Sequence, residues 1–203
     1  MNVHSYTFIL YAVTLMPDKR ERILSSAEAL IAQRGFHGIS MQQVATRANV
    51  ATGTIYRYFS DKETLLRCVH EERLRDAATA ILQNVDAEEP SYAQFRQLWL
   101  NTMHYLQASP DSLCYRVQYE ASPLFNREEE RLMDERYFKP VHEFFECGRV
   151  KGLFRDLPAE LLGFLALENL MLLIQKCTKG CIELNNDIYE QLLDASWNAI
   201  LKR

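Results

Sequence analysis

Residues 50–66 read VATGTIYRYFSDKETLL. Within seven positions Thr52, Gly53, Thr54, Tyr56, Arg57 and Tyr58 gather hydroxyls, two aromatic rings and a cation around one glycine. Hydroxyl and phenol groups donate hydrogen bonds to phosphate oxygens without adding net charge. An arginine holds a phosphate or reads a guanine, and a glycine lets another backbone approach closely. This chemistry suits a flat or anionic surface.

The chain as a whole does not advertise such a partner. Its 203 residues carry a net charge of -4 and a pI near 5.8, which by itself argues against a nucleic-acid binder. The charge is unevenly divided. Residues 1–66 hold seven Lys and Arg against five Asp and Glu, a net of +2, which leaves -6 for residues 67–203. The basic surplus therefore lies with the motif.

The elements that must position these groups are helical. Only seven glycines and six prolines occur in a chain that is 48% hydrophobic, and apolar residues recur at helical spacing, so an all-α fold with a real core is expected. From Asp18 to Arg34, the stripe Ile23, Leu24, Ala27, Leu30 and Ile31 predicts a first helix ending at Gly35. Ser40 with Gln43 reads as a capping box opening a short second helix, after which Asn49 tolerates a left-handed turn. A third helix starts near Ala51 or Thr52, with Ile55 and Phe59 buried beneath it and Thr52 able to cap it. Ser60 with Glu63 repeats the box and opens a long helix whose stripe runs from Leu65 to Val85. Two short helices joined by a tight turn and braced by longer ones form the helix-turn-helix plan. In the major groove, the third helix would present Thr52, Gly53, Tyr56 and Arg57, and Lys62 would meet the adjoining strand beside a helix N-terminus. The bland alternative is a solvated helix face in an ordinary bundle.

Residues 35–66, GFHGISMQQVATRANVATGTIYRYFSDKETLL, resemble the DNA-binding domain of the TetR/AcrR family of bacterial regulators. That family's pattern runs Gly-Phe, Thr-Ser or Thr-Thr, Ile-Ala, Ala-Gly-Val-Ser, Gly, Leu-Tyr, His-Phe, Lys-Glu and Leu. The resemblance covers about fifty residues, from the first helix to Leu66. It implies DNA contacts by Ser40 and Gln42 of the second helix and by Thr52, Gly53, Thr54, Tyr56 and Tyr58 of the recognition helix, with Lys62 on a phosphate. Gln42 and Thr52 are the expected base readers. Three departures stand out: Asn49 replaces the turn glycine, Ala51 the capping serine and Tyr58 the histidine, so the phosphate contact at Tyr58 is the least defined.

Beyond Glu88, Glu89 and Pro90, helices are expected near 91–108, 110–121, 126–149, 158–179 and 186–201, the third kinked by Pro140, making about nine helices in all. The domain reading is an extension over 1–15, a helix-turn-helix domain over 16–66 and a helical domain over 67–203. Translation is expected to begin at Met16, ahead of Pro17 and Asp18. Helix 158–179 carries chiefly Glu160, Glu168, Lys176 and Lys179, so its middle requires cover nearly all round, which a partner chain would supply. The resemblance implies a homodimer formed by the last two helices, the final one offering Ile188, Leu192, Ala195, Ala199 and Ile200 beside Trp197, and two recognition helices meeting a palindromic double-stranded DNA operator.

The resemblance also implies a small-molecule effector and makes the helical domain an effector-binding one. The bulky groups Trp99, Met103, Tyr115, Tyr119, Phe144, Phe145 and Phe164 sit on helices that should converge, with His104, His142, Glu168 and Asn169 as scarce polar members. Simple core packing is the competing reading for each aromatic. Glu168, a carboxylate in an apolar helix, needs a partner across a dimer or a cationic or hydrogen-bonding ligand. The effector site expected from these residues comprises Trp99, Met103, Tyr115, Tyr119, His142, Phe145, Phe164 and Glu168.

Other chemistries find little support. There is no glycine-rich phosphate loop, no Gly-x-Ser-x-Gly elbow and no spacing of metal ligands, so neither an enzyme nor a metal or other cofactor is expected. The five cysteines form no C-x-x-C pair, which fits a reduced cytoplasmic setting, with Cys177 and Cys181 close enough on one helix face to raise a redox pair against ordinary buried thiols. Residues 1–15 make a poor signal peptide, and the run at 161–174 is broken by Glu168 and Asn169 and reads as a buried helix, so no membrane association is expected. The leading expectation is a repressor released by a small, largely apolar effector and controlling efflux or detoxification. The alternative is a helical interaction protein with a degenerate helix-turn-helix and no effector.

Overall fold

The computed structural model describes residues 18–202; the expected extension and the start at Met16 lie outside them. The chain divides into two compact units, the first reaching Val69 and the second beginning at His70.

In the first unit, α1 (Lys19–Arg34) buries the predicted stripe of Ile23, Leu24, Ala27, Leu30 and Ile31, and stops at Gly35, whose φ of 73° is left-handed. After a single 3₁₀ turn, α2 (Met41–Arg47) opens with the predicted capping box. The Gln43 N–H donates to Ser40 Oγ at 3.3 Å and the Ser40 N–H donates to Gln43 Oε1 at 2.8 Å. Asn49 takes φ 53°, and the Arg22 guanidinium of α1 donates to the carbonyls of Ala48 and Asn49 at 2.6 and 2.8 Å, clamping the turn. Helix α3 (Thr52–Tyr58) then rests on buried Ile55 and Phe59, and α4 (Lys62–Ile81) follows.

Two predicted caps are replaced. Ala51 is the N-cap of α3 and no side chain closes it, so Thr52 does not cap. At α4 the Asp61 carboxylate accepts from the Thr64 N–H at 2.7 Å and from the Ser60 hydroxyl at 2.6 Å. The Asp61 carboxylate is a stronger acceptor for a backbone N–H of the first turn than the neutral Ser60 hydroxyl, and these bonds, the Ser60 one foremost, hold the Asp61 pKa below its usual value. Helix α4 also ends earlier than the stripe suggested, with Asn84 left-handed at φ 58° shortly beyond it.

The second unit takes residues 70–81 of α4 together with α5 (Tyr92–Ala108), α6 (Pro110–Glu120), α7 (Arg127–Tyr137), α8 (Lys139–Val150), α9 (Ala159–Thr178) and α10 (Asn186–Ile200). The helix expected over 126–149 is two helices rather than one kinked helix. Pro140 has no N–H to give the preceding turn, so it sits in the first turn of α8 and the chain bends at Phe138. That split makes ten helices among the described residues, with no strand beyond an isolated bridge between Phe154 and Leu201. The core centres on Phe95, Trp99, Phe144, Phe145, Phe154 and Ile200. Gly148 is needed there, since a Cβ on it would lie 2.1 Å from the Phe154 ring.

Helix α9 contains one widened π turn, Phe164–Glu168. It buries Leu162, Ala166, Leu170 and Ile174 but leaves Leu161, Leu165 and Leu172 38–58% exposed, so the cover expected nearly all round is not provided by its own chain. By length and composition alone it is also apolar enough to cross a membrane. On α10, Ile200 and Trp197 turn into the chain's own core, contrary to the expectation that both lie on an outward face, while Ala195 is exposed and Ile188 half-buried. All five cysteines are free thiols.

Candidate functional site

On α3 the side chains divide by depth. Ile55 is fully buried and Phe59 is 2% exposed, whereas Tyr56 and Tyr58 are 54% and 43% exposed. Thr52, Gly53 and Arg57 share the exposure, and Thr54 is half-buried. A Cβ at Gly53 would meet nothing within 4 Å, so nothing in the chain's own packing requires a glycine there. Ser40 and Gln42 are exposed at the start of α2, the Ser40 oxygen already accepting the capping bond.

Lys62, expected on a phosphate, is already engaged within the chain. Its ammonium donates to the carbonyls of Phe36 at 2.6 Å and Ile39 at 3.1 Å and is half-buried. It braces the segment between α1 and α2 against the start of α4, leaving one of its three N–H groups uncommitted.

A second site lies wholly within the second unit, as a cavity of about 430 Å³. Of the residues expected to bind an effector, Tyr115, His142, Phe145, Phe164 and Glu168 border it. Trp99, Met103 and Tyr119 do not. Trp99 is sealed in the core, where its indole N–H donates to Ser196 Oγ at 3.2 Å; Met103 is 1% exposed in the same cluster; and Tyr119 stacks on His70 with ring centroids 3.8 Å apart.

Sequence reasoning missed most of the polar boundary. His70, buried on α4, places Nε2 2.6 Å from the Glu130 carboxylate, and His142 places Nε2 2.6 Å from Asp134. Glu130 and Asp134 are one turn apart on α7, which buries none of its own residues. This helix therefore docks largely through polar contacts, to which Glu71 adds by accepting from Tyr137 and Arg136 at 2.8 and 3.2 Å. An imidazole on the apolar stripe of α4 and carboxylates four apart were the only signals available. The hydrogen bond that His142 donates to the Asp134 carboxylate outweighs burial and raises the His142 pKa above the usual 6.5. At Arg116 burial is the largest influence and disfavours the charge, but Glu120, with help from Glu168 and Glu130, outweighs it and raises the guanidinium pKa above its ordinary value.

Both parts of the chain match known protein families. Residues 23–69 match the family described as bacterial regulatory proteins, tetR family, and residues 90–201 match the tetracyclin repressor-like C-terminal domain. An uncharacterized HTH-type transcriptional regulator of Haemophilus influenzae is 30% identical over 185 residues, 91% of this chain and 97% of that protein. The structure of a putative TetR-family regulator from Vibrio parahaemolyticus superposes with a TM-score of 0.76 at 36% identity, covering 92% of this chain and all of that one. A TetR-family regulator from Marinobacter aquaeolei, at 22% identity, shares the fold with a TM-score of 0.81, covering 91% of this chain and 96% of that one. The chain belongs to the TetR family of transcriptional regulators.

Proposed function

We propose that this regulator is a cytoplasmic, homodimeric repressor that reads a palindromic operator with α3 and is released when a small effector fills the 430 Å³ cavity. The observation that carries the DNA half is the exposed face of α3. Thr52, Gly53, Tyr56 and Arg57 contribute little to folding, and the empty space over Gly53 suits close approach of a sugar-phosphate backbone. Gln42 and Thr52 read bases; Ser40, Thr54, Tyr56, Arg57 and Tyr58 hold the backbone. Lys62, already braced, offers its remaining N–H to a phosphate.

The dimer forms through α9 and α10. Leu161, Leu165 and Leu172 would otherwise leave an apolar stripe in water, and covering it with a second copy follows from the hydrophobic effect. Effector and DNA are coupled through α4, a continuous helix that carries Lys62 in its first turn and lends His70 and Leu74 to the cavity. A coupling free energy of about 1–3 kcal/mol would weaken operator binding roughly 5- to 150-fold. Mapping the genomic fragments bound in the source cells tests the reading. Discrete sites sharing an inverted repeat are expected, and the absence of any enriched fragment would refute it.

A further inference from the structure

The cavity's charged groups are not evenly available. Three arginines border it, and each is already paired with carboxylates that do not: Arg73 with Asp76 at 3.0 Å, Arg116 with Glu120 at 2.9 Å, and Arg131 with Glu128 at 2.7 Å and with Glu135. Both bordering histidines are likewise engaged, with Glu130 and Asp134. Part of each cation's bonding capacity is thus already taken up within the chain.

The opposite holds on α9. Glu160 and Glu168 both border the cavity, and among the described residues neither has a hydrogen-bonding or ion-pair partner. Their charges nevertheless reach inward, Glu160 acting on His142 and Glu168 on Arg116. Between them in sequence, also at the cavity, stands Phe164, 57% exposed. Residues 160, 164 and 168 are each four apart, and the π turn over 164–168 sets their facing. They form a line of carboxylate, aromatic ring and carboxylate that is separate from the Leu161, Leu165 and Leu172 stripe. Behind it the walls are apolar, with Leu106, Leu113, Phe145, Leu167 and Met171 among them. A ring face flanked by carboxylates attracts a weakly hydrated cation, and an apolar wall rewards a hydrocarbon body.

We propose that the effector is an organic cation with an apolar body, its ammonium-type charge seated on Phe164 between Glu160 and Glu168 and its hydrocarbon part inside the cavity. This rests on the reading of the cavity as the effector site. Isothermal titration of the full chain with decyltrimethylammonium, decanoate and decanol, each below its micellar range, tests it. The ammonium should bind at least about tenfold more tightly than decanoate. Glu160→Gln with Glu168→Gln, near-isosteric changes at exposed positions, should lower ammonium affinity by about tenfold and leave decanol within about twofold. Met171→Trp, which fills the cavity, should abolish binding of all three, with thermal melting used to verify that each variant is folded.

Decanoate binding as tightly as the ammonium and lost in Met171→Trp would overturn the cationic class while leaving the effector cavity standing. Ammonium binding indifferent to the paired Gln substitutions would overturn the seat. No binding by any probe, or binding indifferent to Met171→Trp, would overturn both this inference and the effector reading beneath it.

Discussion

Along α3, neighbouring residues have separate duties: Ile55 and Phe59 carry the fold, and Thr52, Gly53, Tyr56 and Arg57 contribute almost nothing to it. Around the cavity of the second unit the duties overlap. His70, Glu130, Asp134 and His142 border the space and also hold α7 in place. A reading surface can be altered without touching stability, because its side chains already sit in water. A ligand cavity is made from the same groups that keep its walls together, so changing it changes the fold as well.

Substitutions can break or sharpen that contrast. The largest expected effect is in the second unit: Trp99→Ala should cost about 3–5 kcal/mol in chemical denaturation, as loss of a fully buried aromatic does. A cost below about 1 kcal/mol would mean that the Trp99 site is open and belongs to a cavity after all. Next comes Lys62→Ala, which removes two charge-assisted bonds to carbonyls and should lower stability by about 1.5–3 kcal/mol. A lysine serving only a phosphate would instead leave unfolding unchanged and reduce the salt slope of DNA binding by about one unit.

A smaller effect is expected at the His142–Asp134 contact. The folded pKa of His142 is raised, so its stabilisation is fully present below the unfolded value near 6.5 and is lost as pH rises through the folded pKa. The contact is partly solvated, and about 1 kcal/mol or less is at stake. Comparing denaturation of the parent and Asp134→Asn across pH 5–9 checks this, and the difference between them should shrink at the alkaline end. The smallest expected change in stability is for Tyr56→Ala, within about 0.5 kcal/mol, although operator binding should weaken measurably. A large loss of stability at Tyr56 would erase the distinction between the two regions.

The same difference governs what the sequence discloses. The helix-turn-helix is written in local signals: the Ile23–Ile31 stripe, the Ser40–Gln43 box and Asn49 each act within a few residues and each appears in the fold. Where two local signals competed, at Ser60 and Asp61, the carboxylate of Asp61 capped the helix in place of the Ser60 hydroxyl. The second unit depends on contacts distant in sequence. Trp99 meets Ser196 and His70 meets Glu130 through packing that no spacing reveals. Aromatic residues were therefore legible as bulky and converging, but not as core or wall. The polar groups of the boundary went unread because each is ordinary until its partner is known.

The central claim is that two copies of α3, presented by a two-fold dimer, read one inverted repeat. Fluorescence anisotropy of the full chain on that repeat, against the same duplex with one half-site scrambled, tests it most directly at a fixed salt concentration. Loss of one half-site should weaken binding by about 100-fold or more. Equal affinity for the two duplexes would contradict the account.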